Sequence, residues 1–251
     1  MTLLSNSLLN MTAAQEARVD LAACFHAAAR LGLQEGICNH FSAMLPGSDS
    51  LFLVNPYGWA FQEITASRLL VYDFEGNVLA GEGRPEMTAF HIHARIHLRQ
   101  PRARVAFHTH MPNATAFTKL EGPPLAWAGQ TALKFYGRTV VDDAYNGLAR
   151  DTAEGDRIAA SMGSADIVFM RNHGVMVVGA SIPAVWDDYT TWSGPARCSA
   201  SRSRPDAHSA RVTPALAEAT ARQMQDGGES ARLHLESVKR VLDRTAPEYR
   251  H

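Results

Sequence analysis

Ala103-Arg104-Val105-Ala106-Phe107-His108-Thr109-His110 (103–110) is the stretch on which the reading of this chain turns. Its first six residues are apolar enough for a buried strand, and the strand runs into a His-Thr-His turn. Residues two apart on an extended backbone share a face, so His108 and His110 can reach one ion without bending the chain. A divalent metal needs three or four convergent donors. Glu86, at the start of a predicted helix, and His173, between two strand-like runs, complete a candidate set. Gly174 beside His173 lets the backbone approach an ion closely. A metalloenzyme is the expectation.

Outward from that stretch, periodicity assigns the rest of the chain. Upstream, 87–100 after Pro85 reads as a helix, which makes His91, His93 and His97 surface or packing residues by expectation. Earlier still come strand-like runs at 37–43, 51–54 and 69–74, the last turning at Glu75-Gly76-Asn77 into Val78-Leu79. An amphipathic helix over 15–33 precedes them, with Gly32 where a helix would stop. Downstream, 132–135 and 139–141 read as strands and 152–162 as a helix. Strands at 167–170 and 175–178 bracket His173, and Ser181-Ile182-Pro183 opens another helix with proline at a permitted first-turn position. The alternation predicts an α/β fold with a central sheet.

The segment 214–242 is helix-compatible, broken at Gly227-Gly228. Residues 192–212 are rich in Ser, Arg and Pro without any period, a composition that reads as an exposed loop. A second reading of 189–211 is a compensated double frameshift. If each codon takes the third base of one residue and the first two of the next, an allowed codon choice yields Tyr-Tyr-Leu-Glu-Arg-Ala-Cys and a continuing amphipathic helix. The nucleotide sequence of the gene decides between the two.

The chain has 251 residues, a formal net charge of -1 and three cysteines. Its length suits one domain over 1–251. Near-neutral charge provides no broad field for nucleic acid or an anionic membrane, and a small-molecule substrate is the expected partner. The first residues lack the basic region of a signal peptide and no apolar run is long enough for a membrane span, so a cytoplasmic protein is expected. Cys24, Cys38 and Cys198 have neither disulfide-framework nor thiolate-zinc spacing.

At this point the motifs carry a resemblance. Gly83-Arg84-Pro85-Glu86, the following helix, Ala106-Phe107-His108-Thr109-His110 and Arg171-Asn172-His173-Gly174-Val175-Met176-Val177-Val178-Gly179 together resemble the class II aldolase/adducin family. Phe52-Leu53-Val54-Asn55-Pro56-Tyr57-Gly58 and Glu63-Ile64-Thr65-Ala66-Ser67 are similar to its non-sugar members, and the likeness covers roughly 15–188. The resemblance implies a three-layer α/β/α sandwich around a mixed, largely antiparallel sheet, assembled as a homotetramer with sites near subunit interfaces. It also implies a zinc or manganese ion held by His108, His110 and His173, with Glu86 as ligand or as acid/base.

The chain departs from the sugar-phosphate members where they hold phosphate. Asn39-His40 replaces a Gly-Asn pair, and Arg84-Pro85 replaces two serines, which points to a non-phosphorylated substrate. Asn39, His40 and Arg84 are then substrate candidates. Arg84 either pairs bidentately with a carboxylate or is a solvated loop charge; His40 either faces the pocket or is a core histidine. Tyr136 and Tyr145 are candidate acids or structural tyrosines. The expected function is a metal-dependent carbon-carbon lyase acting on a hydroxy-carbonyl or carboxylate compound. Its rivals are a decarboxylase of a hydroxylated aromatic or pyridine carboxylate, with Trp59, Phe61 and Trp127 lining the pocket, and a non-catalytic adducin-like binding domain.

Overall fold

The computed structural model describes residues 2–122, 127–200, 212–225 and 227–251. Strands β1 (His40–Met44), β2 (Leu51–Val54), β3 (Leu70–Asp73), β4 (Val78–Ala80), β5 (Val105–Thr109), β6 (Thr139–Asp142), β7 (Ile167–Met170) and β8 (Val175–Gly179) form one sheet. Their order is β4-β3-β2-β1-β5-β8-β7-β6. Every neighbouring pair is antiparallel except β6 and β7, which are parallel. A parallel pair cannot be joined by a tight turn, and helix α5 (Thr152–Ser161) lies between these two strands in the chain.

Helices cover both faces because the central strands are apolar on both sides. On one face Phe41, Ala43, Leu53, Val105, Phe107, Phe169, Val175 and Val177 share a core with residues of α1 (Thr2–Arg30), α6 (Ile182–Ala200) and α8 (Glu229–Thr245). On the other, Ala106, Val168, Met176 and Val178 pack against Ile92 and Ile96 of α2 (Met87–Arg99) and Ile158 and Ala159 of α5. The strand period of two does this sorting: in β5, Val105 and Phe107 go to the first face and Ala106 and His108 to the second. The architecture is the expected three-layer α/β sandwich.

Two expectations are corrected and one element is added. Residues 132–135, read as a strand, lie in and after helix α4 (Gln130–Leu133), which starts behind Gly129 at φ 82° and buries Ala132 and Leu133. An apolar run of four residues carries no period that separates helix from strand. Helix α3 (Pro112–Thr118), absent from the sequence reading, uses Pro112 in its first turn, where the missing N–H costs nothing. The exposed loop expected from residue 192 is also displaced: α6 stays helical to Ala200, and the Trp192 ring is fully buried against Phe135 and Phe169. Trp186, Tyr189 and Trp192, three residues apart, line the face that holds this helix to the sheet. The remainder of that segment, 201–211, lies outside the described residues. Helix α7 (Pro214–Gln223) precedes α8, with the expected break at Gly227-Gly228.

Candidate metal centre

The centre of the sheet, where β1, β5 and β8 lie side by side, carries the site. His40 of β1 is in register with His108 of β5, and His108 with Met176 of β8. His110 follows the end of β5. The turn between β7 and β8 brings His173 over the same end: the Met170 N–H donates to the Gly174 carbonyl, and the His173 N–H to the Met170 carbonyl. Asn172 adopts φ 55° in this turn, a left-handed conformation that asparagine tolerates better than most side chains. Its N–H donates to the Thr118 carbonyl.

The result is three imidazoles with one donor atom each, all within 4.8 Å of one another. Ring centroids are 5.1 Å apart for His108 and His110, 4.8 Å for His108 and His173, and 5.1 Å for His110 and His173. Gly174 makes the cluster sterically feasible. A Cβ there would stand 2.6 Å from His110 Cδ2 and 2.8 Å from the Thr109 carbonyl.

Two of the three rings are anchored through their other nitrogen. His108 Nδ1 lies 3.1 Å from the Val175 carbonyl, which can only accept, so Nδ1 carries the hydrogen and Nε2 is left bare. His110 Nδ1 lies 2.5 Å from Glu35 Oε2, and the His110 Nε2 is buried without a hydrogen-bond partner. A carboxylate behind a histidine is the arrangement that orients metal-ligating imidazoles. Burial holds His108 well below the usual histidine range and His173 down to about 4, with the neighbouring histidines acting in the same direction. Both are therefore neutral at physiological pH, the form a metal requires.

Glu86 is not among the three convergent donors. It caps α2, accepting from the Ala89 N–H at 3.0 Å and from the Thr88 hydroxyl. Its Oε2 stands 3.9 Å from His40 Nε2. Burial raises this carboxyl, but the bonds from Thr88 and Ala89 and the His40 imidazole bring it below the ordinary glutamate value. Ionised and one-quarter exposed, it suits a base better than an acid.

The remaining sequence candidates divide. His40 is buried between this carboxylate and the cage, its ring 5.7 Å from that of His108. Asn39 is fully buried; its Oδ1 accepts from the Glu35 N–H at 2.6 Å and its Nδ2 has no partner. Asn39 thus fixes the same turn that carries Glu35. Arg84 is exposed, its guanidinium 5.3 Å from the Tyr57 ring. Tyr136 packs on Trp127 at 5.1 Å and Tyr145 is half exposed. Of the expected aromatic lining, Phe61 is corrected: it is a core residue wedged against Phe25 and Phe41. Trp59 lies under the Arg68 guanidinium. Sequence reasoning missed Glu35, because an acidic residue in a loop has no periodic signal; its position just before Asn39-His40 is the sole hint.

The description "Class II Aldolase and Adducin N-terminal domain" matches residues 19–198. A Caulobacter vibrioides protein whose name assigns it provisionally to the class 2 aldolases is 36% identical over 174 residues, 68% of this chain and 66% of that one. The decarboxylase NovR of Streptomyces niveus is 30% identical over 160 residues, 62% of this chain and 58% of its own. The matched stretch thus spans less than two thirds of each of these curated relatives. The crystal structure of an aldolase II superfamily protein from Pseudomonas syringae has a TM-score of 0.88 at 28% identity, covering 95% of this chain and 96% of that one.

Proposed function

The chain belongs to the class II aldolase/adducin family, and from that membership and the histidine cage we propose that it is a metal-dependent lyase that cleaves a carbon-carbon bond of a hydroxy-carbonyl substrate. The observation that carries this reading is the trio His108, His110 and His173, with donor atoms within 4.8 Å and two of the three rings anchored from behind. The His110 Nε2, buried without a hydrogen-bond partner among the described residues, is left free to meet an ion.

These residues fit a divalent ion. Three imidazoles with an open position are the donor set of catalytic zinc, and manganese is the competing choice. When bound, such an ion supplies Lewis acidity toward a substrate oxygen. The protein's own groups do the rest. Glu86, ionised at the N-terminus of α2, takes a proton from a substrate hydroxyl and returns it to carbon. His40, packed on His108, and Asn39 serve as substrate contacts, and the exposed Arg84 pairs with a substrate carboxylate. The partner is a small molecule and the assembly a homotetramer. No helix among the described residues is long and apolar enough to cross a membrane.

A second reaction on the same residues, decarboxylation of a hydroxylated aromatic or pyridine carboxylate, draws on the likeness to NovR. Incubating the zinc- or manganese-loaded protein with a panel of hydroxy-carbonyl and hydroxy-aryl carboxylate compounds separates the two. Aldehyde release that is lost in Glu86→Gln supports aldol-type cleavage, and carbon dioxide release supports the second reaction. Neither product from metal-loaded, folded protein would leave the adducin-like binding reading in front.

A further inference from the structure

Behind the cage, on the α2 side of the sheet, runs a line of buried polar groups that the lyase reading does not use. His97 Nδ1 lies 2.6 Å from the Ala103 carbonyl, His97 Nε2 lies 2.7 Å from Ser42 Oγ, and Ser42 Oγ lies 2.5 Å from His93 Nδ1. His93 Nε2 has no partner, and its ring stands edge-to-face against His40 with centroids 5.7 Å apart. His93 is fully buried and His97 nearly so.

The hydrogens along this line can be placed by elimination. A carbonyl only accepts, so His97 Nδ1 carries a hydrogen. Burial keeps His97 neutral, its value lowered to about 4, so its Nε2 is bare and must receive a hydrogen from Ser42. The hydroxyl has one hydrogen to give. Ser42 therefore accepts from His93 Nδ1, and a neutral His93 is left with a bare Nε2. If Ser42 donated instead to His93 or to the Ala106 carbonyl, the latter at the longer distance of 3.4 Å, the 2.7 Å contact with His97 Nε2 would hold a hydrogen only if both His97 nitrogens carried one. That places an unpaired charge in the core, which burial opposes.

We infer that His93 is a positioning residue of the site: the chain from the Ala103 carbonyl through His97 and Ser42 runs in one direction only and leaves a bare Nε2 on the ring that packs edge-to-face with His40. The inference rests on the reading of His40 and Glu86 as substrate-facing groups. A chain that ends on a backbone carbonyl cannot pass a proton to solvent, so its work is to set polarity rather than to conduct. Neither ring nitrogen of His40 is hydrogen-bonded among the described residues. A neighbouring ring held in one tautomer, with an Nε2 that can only accept, biases the orientation of the His40 ring and so which nitrogen meets Glu86.

Ring-nitrogen NMR of the ¹⁵N-histidine-labelled, metal-loaded protein tests this, with His93 assigned from the peaks lost in His93→Gln. The expected spectrum shows His93 with a protonated Nδ1 and an unprotonated Nε2. Ser42→Ala shifts His93 toward the opposite tautomer and lowers kcat with little change in KM or metal content, and Ser42→Thr restores all of these. A protonated His93 Nε2 in the wild type overturns the inference, as does a His93 signal unmoved in Ser42→Ala. If Ser42→Ala does not fold, the wild-type spectrum decides alone. Metal content measured on the same sample keeps the two readings apart: absent metal with the expected tautomer sinks the lyase while leaving the hydrogen-bond chain standing.

Discussion

Gly174 sets the size of the cage. It has ordinary backbone geometry, so its requirement is one of space: a methyl group there meets His110 Cδ2 at 2.6 Å, the Thr109 carbonyl at 2.8 Å and His108 Cε1 at 3.1 Å. Backbone cannot give way as a flexible side chain can, so the imidazoles must turn. Gly174→Ala is expected to keep the fold while weakening zinc binding about ten- to a hundredfold, the usual cost of disturbing the support of a metal ligand. Isothermal titration calorimetry of the apo-protein checks it; wild-type affinity would show that close approach does not shape the site. The motif around Gly174 was legible because His173 and Gly174 are adjacent in sequence. The roles of Ser42 and Glu35 were not, because each depends on a partner more than fifty residues away.

At the scale of elements, the contact of α2 with α5 decides where Glu86 stands, since Glu86 caps α2. Gly155 lets the two helices touch: a Cβ at this position would lie 2.1 Å from the His91 carbonyl oxygen. Around this point Arg95 and Arg99 grip Asp156, and Gln100 Nε2 donates to the Ala159 carbonyl. Gly155→Ala forces the helices apart and is expected to cost about 1–3 kcal/mol, within the range for overpacking. Urea denaturation of the metal-free protein measures it, and an unchanged midpoint would contradict the tight crossing. Strands such as Leu51–Val54 and Ile167–Met170 were legible to the residue, because a short apolar run bounded by turn formers has few alternatives. Short helices were not: α4 buries two residues and shows no periodicity, and α3 hides directly behind the histidine turn. Tertiary anchoring through Trp192, unseen in the composition, carried α6 onward.

For the whole molecule, the buried histidines set a pH dependence. Burial lowers His40, His97 and His173 to about 4, and pushes His93 and His108 well down. In the unfolded chain all five titrate near pH 6.5. Between those values the unfolded state binds more protons, so stability falls as pH drops from 6.5 towards 4. Each such histidine costs about 1.4 kcal/mol per pH unit inside that window, and depressed carboxylates act only at lower pH. Metal-free protein should therefore lose several kcal/mol between pH 7 and pH 5 in denaturant titrations; equal stability at the two values would mean the imidazoles are not buried neutral. The same protons compete with a metal for the ligand nitrogens. The central claim is that His108, His110 and His173 hold an ion, and it is tested most directly by the metal content of the purified protein, measured by inductively coupled plasma mass spectrometry beside a His108→Ala/His110→Ala control. Near-stoichiometric zinc or manganese that disappears in the control is the predicted result, and folded wild-type protein that stays metal-free after incubation with either ion would contradict it.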